Sequence, residues 1–107
     1  SSAPMTNFIR IASLSSLPEG ELTSAELDGV AIALVKLGET VHAVNDTCTH
    51  AEASFCDGGY VQGDCIVCPL HYGSFRLADG EANDPPADKP LRVYEVKIDG
   101  DDVLVKA

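Results

Sequence analysis

Two short segments hold the residues best able to do chemistry: Cys48-Thr49-His50 and Cys68-Pro69-Leu70-His71. Two thiols and two imidazoles make a metal-ligand set, because soft thiolates suit zinc and iron–sulfur clusters while imidazole binds zinc, copper and iron. The residue types alone leave the metal open. Zinc fingers usually chelate with like pairs, Cys with Cys and His with His, whereas each segment here offers one of each. Such mixed clamps suit a two-metal object, with each segment giving its Cys to one metal and its His to the other. A single zinc ion, a disulfide, or cysteines that ligate nothing are the competing readings. Any one of the four residues, alone, reads as a buried Cys or a core His. The joint pattern C-x-H-x₁₇-C-x₂-H does not.

In Rieske [2Fe–2S] centres two histidines replace two cysteines on one iron. The stretch from Cys48 to Phe75 resembles the Rieske ferredoxins of bacterial aromatic-ring dioxygenase systems, and the likeness extends over most of the chain. The resemblance implies an all-β fold: a Rieske-type antiparallel β-sandwich with a small cluster-binding subdomain at the tip. It implies one [2Fe–2S] cluster, with Cys48 and Cys68 on the inner iron and His50 and His71 on the outer one, which takes up the electron. The implied role is a one-electron carrier, not itself an enzyme, between an NAD(P)H-dependent ferredoxin reductase and a terminal ring-hydroxylating oxygenase. The alternative is a small Rieske subunit of an assimilatory nitrite reductase or of another oxidoreductase complex. Asn83-Asp84-Pro85-Pro86-Ala87 is the candidate cover over the cluster, and Ala51, Phe55, Tyr72 and Pro85 are candidates for an apolar collar around the histidines.

Departures from the wider family carry information too. High-potential Rieske proteins have an extra cysteine in each cluster loop, joined as a disulfide, and serine and tyrosine hydroxyls directed at the cluster sulfurs. The corresponding positions here are Ala53 and Leu70, then Gly73 and Phe75. Hydrogen bonds to cluster sulfur stabilise the added electron, so their loss lowers the potential. The sequence therefore predicts a low-potential centre.

With 107 residues the chain has room for one domain, assigned to residues 5–107 with cluster loops at about 46–86. Ser1-Ser2-Ala3-Pro4, ahead of Met5, reads as an expression remnant. A net charge of −10 argues against nucleic acid and anionic membranes and favours partners with basic docking patches. No apolar run approaches a transmembrane helix or a signal-peptide core, so the expectation is a soluble, cytoplasmic monomer.

Two cysteines remain. Cys65 forms a formal C-x-x-C with Cys68, which in a cytosolic chain can mark a redox dithiol, but it continues an apolar run with Ile66 and Val67 and reads as a small buried side chain. Cys56, beside Asp57-Gly58-Gly59, has no obvious partner and reads as structural, and His42 reads as a sheet residue.

The elements that must position the clamps are strands. Residues 8–12, 21–27, 30–35, 40–44, 60–61, 65–68, 74–77, 91–98 and 103–106 combine β-branched content with flanking turn residues. One helical turn is expected over Ser13–Pro18, a hairpin at Asp99-Gly100-Asp101-Asp102, and no repeats.

Overall fold

The computed structural model describes residues 8–49, 53–70, 72–85 and 89–106. Over them the expected extended chain forms three antiparallel sheets. The first orders β1 (Phe8–Ser13), β11 (Asp102–Lys106) and β10 (Val96–Asp99). The second orders β2 (Leu22–Leu27), β3 (Val30–Leu37), β4 (Thr40–Asn45) and β9 (Val93–Tyr94). The third orders β5 (Tyr60–Gln62), β6 (Cys65–Val67), β7 (Ser74–Arg76) and β8 (Ala82–Asp84).

Strand β3 explains how the sheets stack. Its run Ile32-Ala33-Leu34-Val35 is buried throughout, the pattern of a strand covered on both faces. Successive side chains point to opposite faces. Ile32 and Leu34 join Leu27, Val41, Ala43, Val103 and Val105 in one core, which seats the first sheet against the second. Ala33 and Val35 join Val44, Phe55, Ile66, Phe75, Leu77 and Leu91 in another, which holds the third sheet and both clamps. The expected sandwich with a cluster-bearing subdomain therefore forms, and its second sheet is the layer shared between them.

Local chemistry sets the joints. Leu27 pairs with Val30 across Asp28-Gly29, whose φ values of 52° and 83° belong to the two-residue turn that matches strand twist. The helical turn over Ser13–Pro18 is a single 3₁₀ turn at Leu14–Ser16. Asp101 fixes it, accepting from the Ser15 N–H at 2.9 Å and from the Ser15 hydroxyl at 3.0 Å.

Two elements differ from the sequence reading. The run 91–98 is not one strand: Val93–Tyr94 pairs with β4, and Val96–Asp99 pairs with β11. The chain changes sheet at Glu95, whose carbonyl accepts from the Lys106 N–H at 3.0 Å. Asn83 and Asp84, placed by sequence at the start of a cover loop, lie with Ala82 in β8 against β7. Among the described residues, no helix is long and apolar enough to cross a membrane.

Candidate metal centre

Cys48 follows β4 by three residues, and Cys68 directly follows β6. Both are buried, at 3% and 0% exposure, in the same core as Phe55 and Phe75. The loops that begin at these cysteines close in the same way. The Cys48 N–H donates to the Ala53 carbonyl at 3.0 Å, and the Cys68 N–H donates to the Gly73 carbonyl at 2.8 Å. Each cysteine is preceded by a residue paired across the loop: Thr47 with Ser54, and Val67 with Ser74. Phe55 and Phe75 then meet edge to face, with ring centroids 5.9 Å apart and planes at 88°.

A short repeat thus emerges that sequence reading missed: Cys-x₅-Ser-Phe at 48–55 and again at 68–75. The histidines hide it, because His50 is two residues after its cysteine and His71 three. Two thiols delivered into one core by equally closed loops are a donor set that fits an iron–sulfur cluster, since soft thiolates are its ligands. His50 and His71 lie outside the described residues.

The repeated serines anchor the loops differently. Ser54 Oγ donates to Asp46 Oδ2, and Asp46 Oδ1 accepts from the Cys56 N–H at 3.0 Å. Asp46 is 7% exposed, and its own N–H donates to the Ala31 carbonyl at 3.1 Å. A buried carboxylate thereby ties the first loop to the second sheet. Ser74 Oγ donates to Asp84 Oδ2 at 3.1 Å, and Asn83 Nδ2 donates to Ser74 Oγ at 3.3 Å, tying the second loop to β8. Asp46 was not picked out by sequence, because its partners Ser54 and Cys56 lie across the first loop. Asp46→Ala leaves the Ser54 hydroxyl and the Cys56 N–H without their acceptor. A loss of about 2 kcal/mol is expected from those stranded donors. Urea unfolding of the variant, with bleaching of the visible chromophore by an iron chelator followed in parallel, measures it; unchanged stability and bleaching would show that the first loop does not depend on this anchor.

The other expected residues divide. Phe55 is not part of a surface collar: it is fully buried, because the edge-to-face contact with Phe75 draws it inward. Tyr72 is 68% exposed and Pro85 is also at the surface, whereas Ala51, Pro86 and Ala87 lie outside the described residues. Cys56 is half-buried, and burial together with the Asp46 carboxylate pushes its thiol up to about 12. Burial and then Asp64 also raise the Cys65 thiol, which points at Asp64 Oδ1 at 3.5 Å. Thiols held protonated are poor ligands and poor nucleophiles. Cys65 and Cys68 are three residues apart on an extended segment and so face opposite ways, which removes the dithiol reading. His42 sits in β4 opposite Val35, as a sheet residue.

Comparison with known proteins gives the same picture. A family model described as "Rieske [2Fe-2S] domain" matches residues 7–95. The chain is 38% identical over 98 residues to a biphenyl dioxygenase ferredoxin subunit of Pseudomonas sp. (strain KKS102), covering 92% of this chain and 90% of the relative. It superposes on the ferredoxin of carbazole 1,9a-dioxygenase from Nocardioides aromaticivorans IC177 with a TM-score of 0.89 and 35% identity, over 94% of this chain and 98% of that one. A chain solved in a complex of reduced oxygenase and oxidized ferredoxin of carbazole 1,9a-dioxygenase matches with a TM-score of 0.86 and 31% identity, over 94% and 93%.

Proposed function

The chain belongs to the Rieske [2Fe–2S] domain family, and on that premise we propose that it carries single electrons from an NAD(P)H-dependent ferredoxin reductase to a ring-hydroxylating oxygenase. Residues 5–107 act as one domain and take part as a soluble monomer. The observation that carries the reading is the pair of buried thiols, Cys48 and Cys68, at the mouths of two identically closed loops. Relatives with 38% and 35% identity are dioxygenase ferredoxins, and one with 31% identity comes from a ferredoxin–oxygenase complex.

Cys48, His50, Cys68 and His71 are the proposed ligands. The cluster supplies reversible one-electron redox chemistry, and the residues around it set where that chemistry operates. The packing of Phe55, Ile66 and Phe75 at 0% exposure walls the thiols from water on the inner side. The described residues on either side of His71 in the sequence, Leu70 and Tyr72, are exposed. Electron entry and exit are assigned to that edge.

The surroundings favour a low potential. The serine nearest the second clamp has its hydroxyl turned to Asp84 at 3.1 Å, and Phe75 has no hydroxyl to offer. A centre with few donors to its sulfurs is expected near the bottom of the Rieske range, about −150 mV rather than +300 mV. Purified protein should be red-brown, hold about two irons per chain, and give a rhombic EPR signal on reduction. Protein-film voltammetry near neutral pH checks the potential. A colourless protein with zinc would overturn the cluster, and a clearly positive midpoint would overturn the dioxygenase-type carrier.

A further inference from the structure

Tyr72 is held in a backbone conformation that side chains ordinarily avoid. Its φ is +61°, in the left-handed region where a Cβ crowds the backbone. Loop closure accounts for the turn: the chain must return from Cys68 to place the Gly73 carbonyl 2.8 Å from the Cys68 N–H. Glycine would make that turn without strain. The sequence instead places there an aromatic ring that is 68% exposed, the highest exposure of any large apolar residue described. Leu70, two residues earlier, is 46% exposed. Strain kept for an exposed ring points to a use outside the fold, because the ring contributes little burial in return.

The charge pattern says what that use is. From Cys65 to Phe75 there is no Asp, Glu, Lys or Arg, in a chain whose net charge is −10. The two residues of this run that are exposed, Leu70 and Tyr72, are thus uncharged and lie beside the buried thiol of Cys68 in a strongly acidic chain. Aromatic side chains at the centre of a contact, surrounded by polar rims, are the residues that dominate recognition between proteins.

We propose that Tyr72 is the anchor by which the carrier is recognised by its terminal oxygenase. The ring enters an uncharged recess on the oxygenase, whose basic rim answers the chain's net charge of −10. This rests on the carrier function proposed above, in which an oxygenase is the electron acceptor. The oxygenase is preferred to the reductase because a similar ferredoxin is found in a solved complex with an oxygenase.

Cluster-loaded full-length protein tests it with Tyr72→Phe, Tyr72→Ala and Tyr72→Gly. Oxygenase turnover at saturating reductase gives the KM for the carrier, and stopped flow gives its reduction rate by the reductase. Tyr72→Ala and Tyr72→Gly are both expected to raise the KM about tenfold. Tyr72→Phe should retain most of the affinity. The EPR signal and the midpoint potential should not change, and the rate of reduction by the reductase should fall by less than the oxygenase KM rises. Tyr72→Gly should also melt higher than Tyr72→Ala, since only glycine relieves the strain while both remove the ring. An unchanged KM in both truncations, a rise confined to the reductase step, or a shifted EPR signal from a ring acting inside the fold would each overturn the proposal. If the wild-type protein itself fails to support turnover, the carrier reading fails, and that outcome is distinct from a working carrier indifferent to Tyr72.

Discussion

Replacing Cys48 or Cys68 by serine, or His50 or His71 by alanine, is expected to abolish the visible chromophore and the EPR signal outright. The hydroxyl of serine is a hard donor with a far higher pKa than a thiol, so it neither ionises readily nor suits iron–sulfur chemistry. Ligation and local folding are coupled, and the loops after Cys48 and Cys68 should become protease-sensitive when the cluster is lost. Cys56→Ser and Cys65→Ser are the controls. Both thiols are held protonated by burial and by neighbouring carboxylates, Asp46 and Asp64. Both variants should keep iron at the wild-type level, and loss of the cluster in either would mean that the ligand set includes the wrong cysteines.

The second large effect is expected from adding a single methyl group at Gly80. A Cβ there would lie 1.9 Å from the Leu91 carbonyl oxygen and 3.2 Å from Val93 Cγ1, at a φ of +78°. Leu91 cannot retreat cheaply, because its N–H donates to the Gly80 carbonyl at 2.7 Å and its side chain is buried. This is where the β7–β8 turn is fastened to the irregular segment that leads into β9. Gly80→Ala should cost about 4 kcal/mol, in the range where a named steric mechanism is required. For a domain of this size that lowers the melting temperature by more than about 15 °C. Gly63→Ala is the comparison, because Gly63 has a similar φ of +62° but nothing within 4 Å of its Cβ position. It should lose only about 1 kcal/mol to backbone strain. Equal melting of the two variants would show that contact with Leu91 contributes nothing.

The ligand pattern and most strands were legible because each rests on local chemistry: soft donors at fixed spacing, β-branched runs, Asp-Gly turns. What was not legible depends on partners distant in the chain. Ala82-Asn83-Asp84 has turn-like composition and becomes a strand only because Ser74 and Phe75 present a free edge to it. The run from Leu91 to Ile98 is continuous in sequence, and no local signal marks Glu95 as the point where it leaves one sheet for another. Phe55 looked like a surface residue of the first clamp until Phe75 was brought against it from the second. Tyr72 was legible as an exposed aromatic near a histidine, but its left-handed backbone was not, since tyrosine carries no preference for that region.

The matched closures of the two cysteine loops also bear on speed. An electron moves quickly between proteins when few nuclei must shift to accommodate the new charge. Here each thiol leaves a backbone whose N–H is already bonded across its own loop, and each loop is fastened again by a serine hydroxyl to a carboxylate. Ligands held on a backbone fixed in advance have little freedom to shift. Such a frame would limit how far the two thiolates could move between the oxidised and reduced states of a bound cluster, so that one loop geometry would serve for accepting the electron and for giving it up.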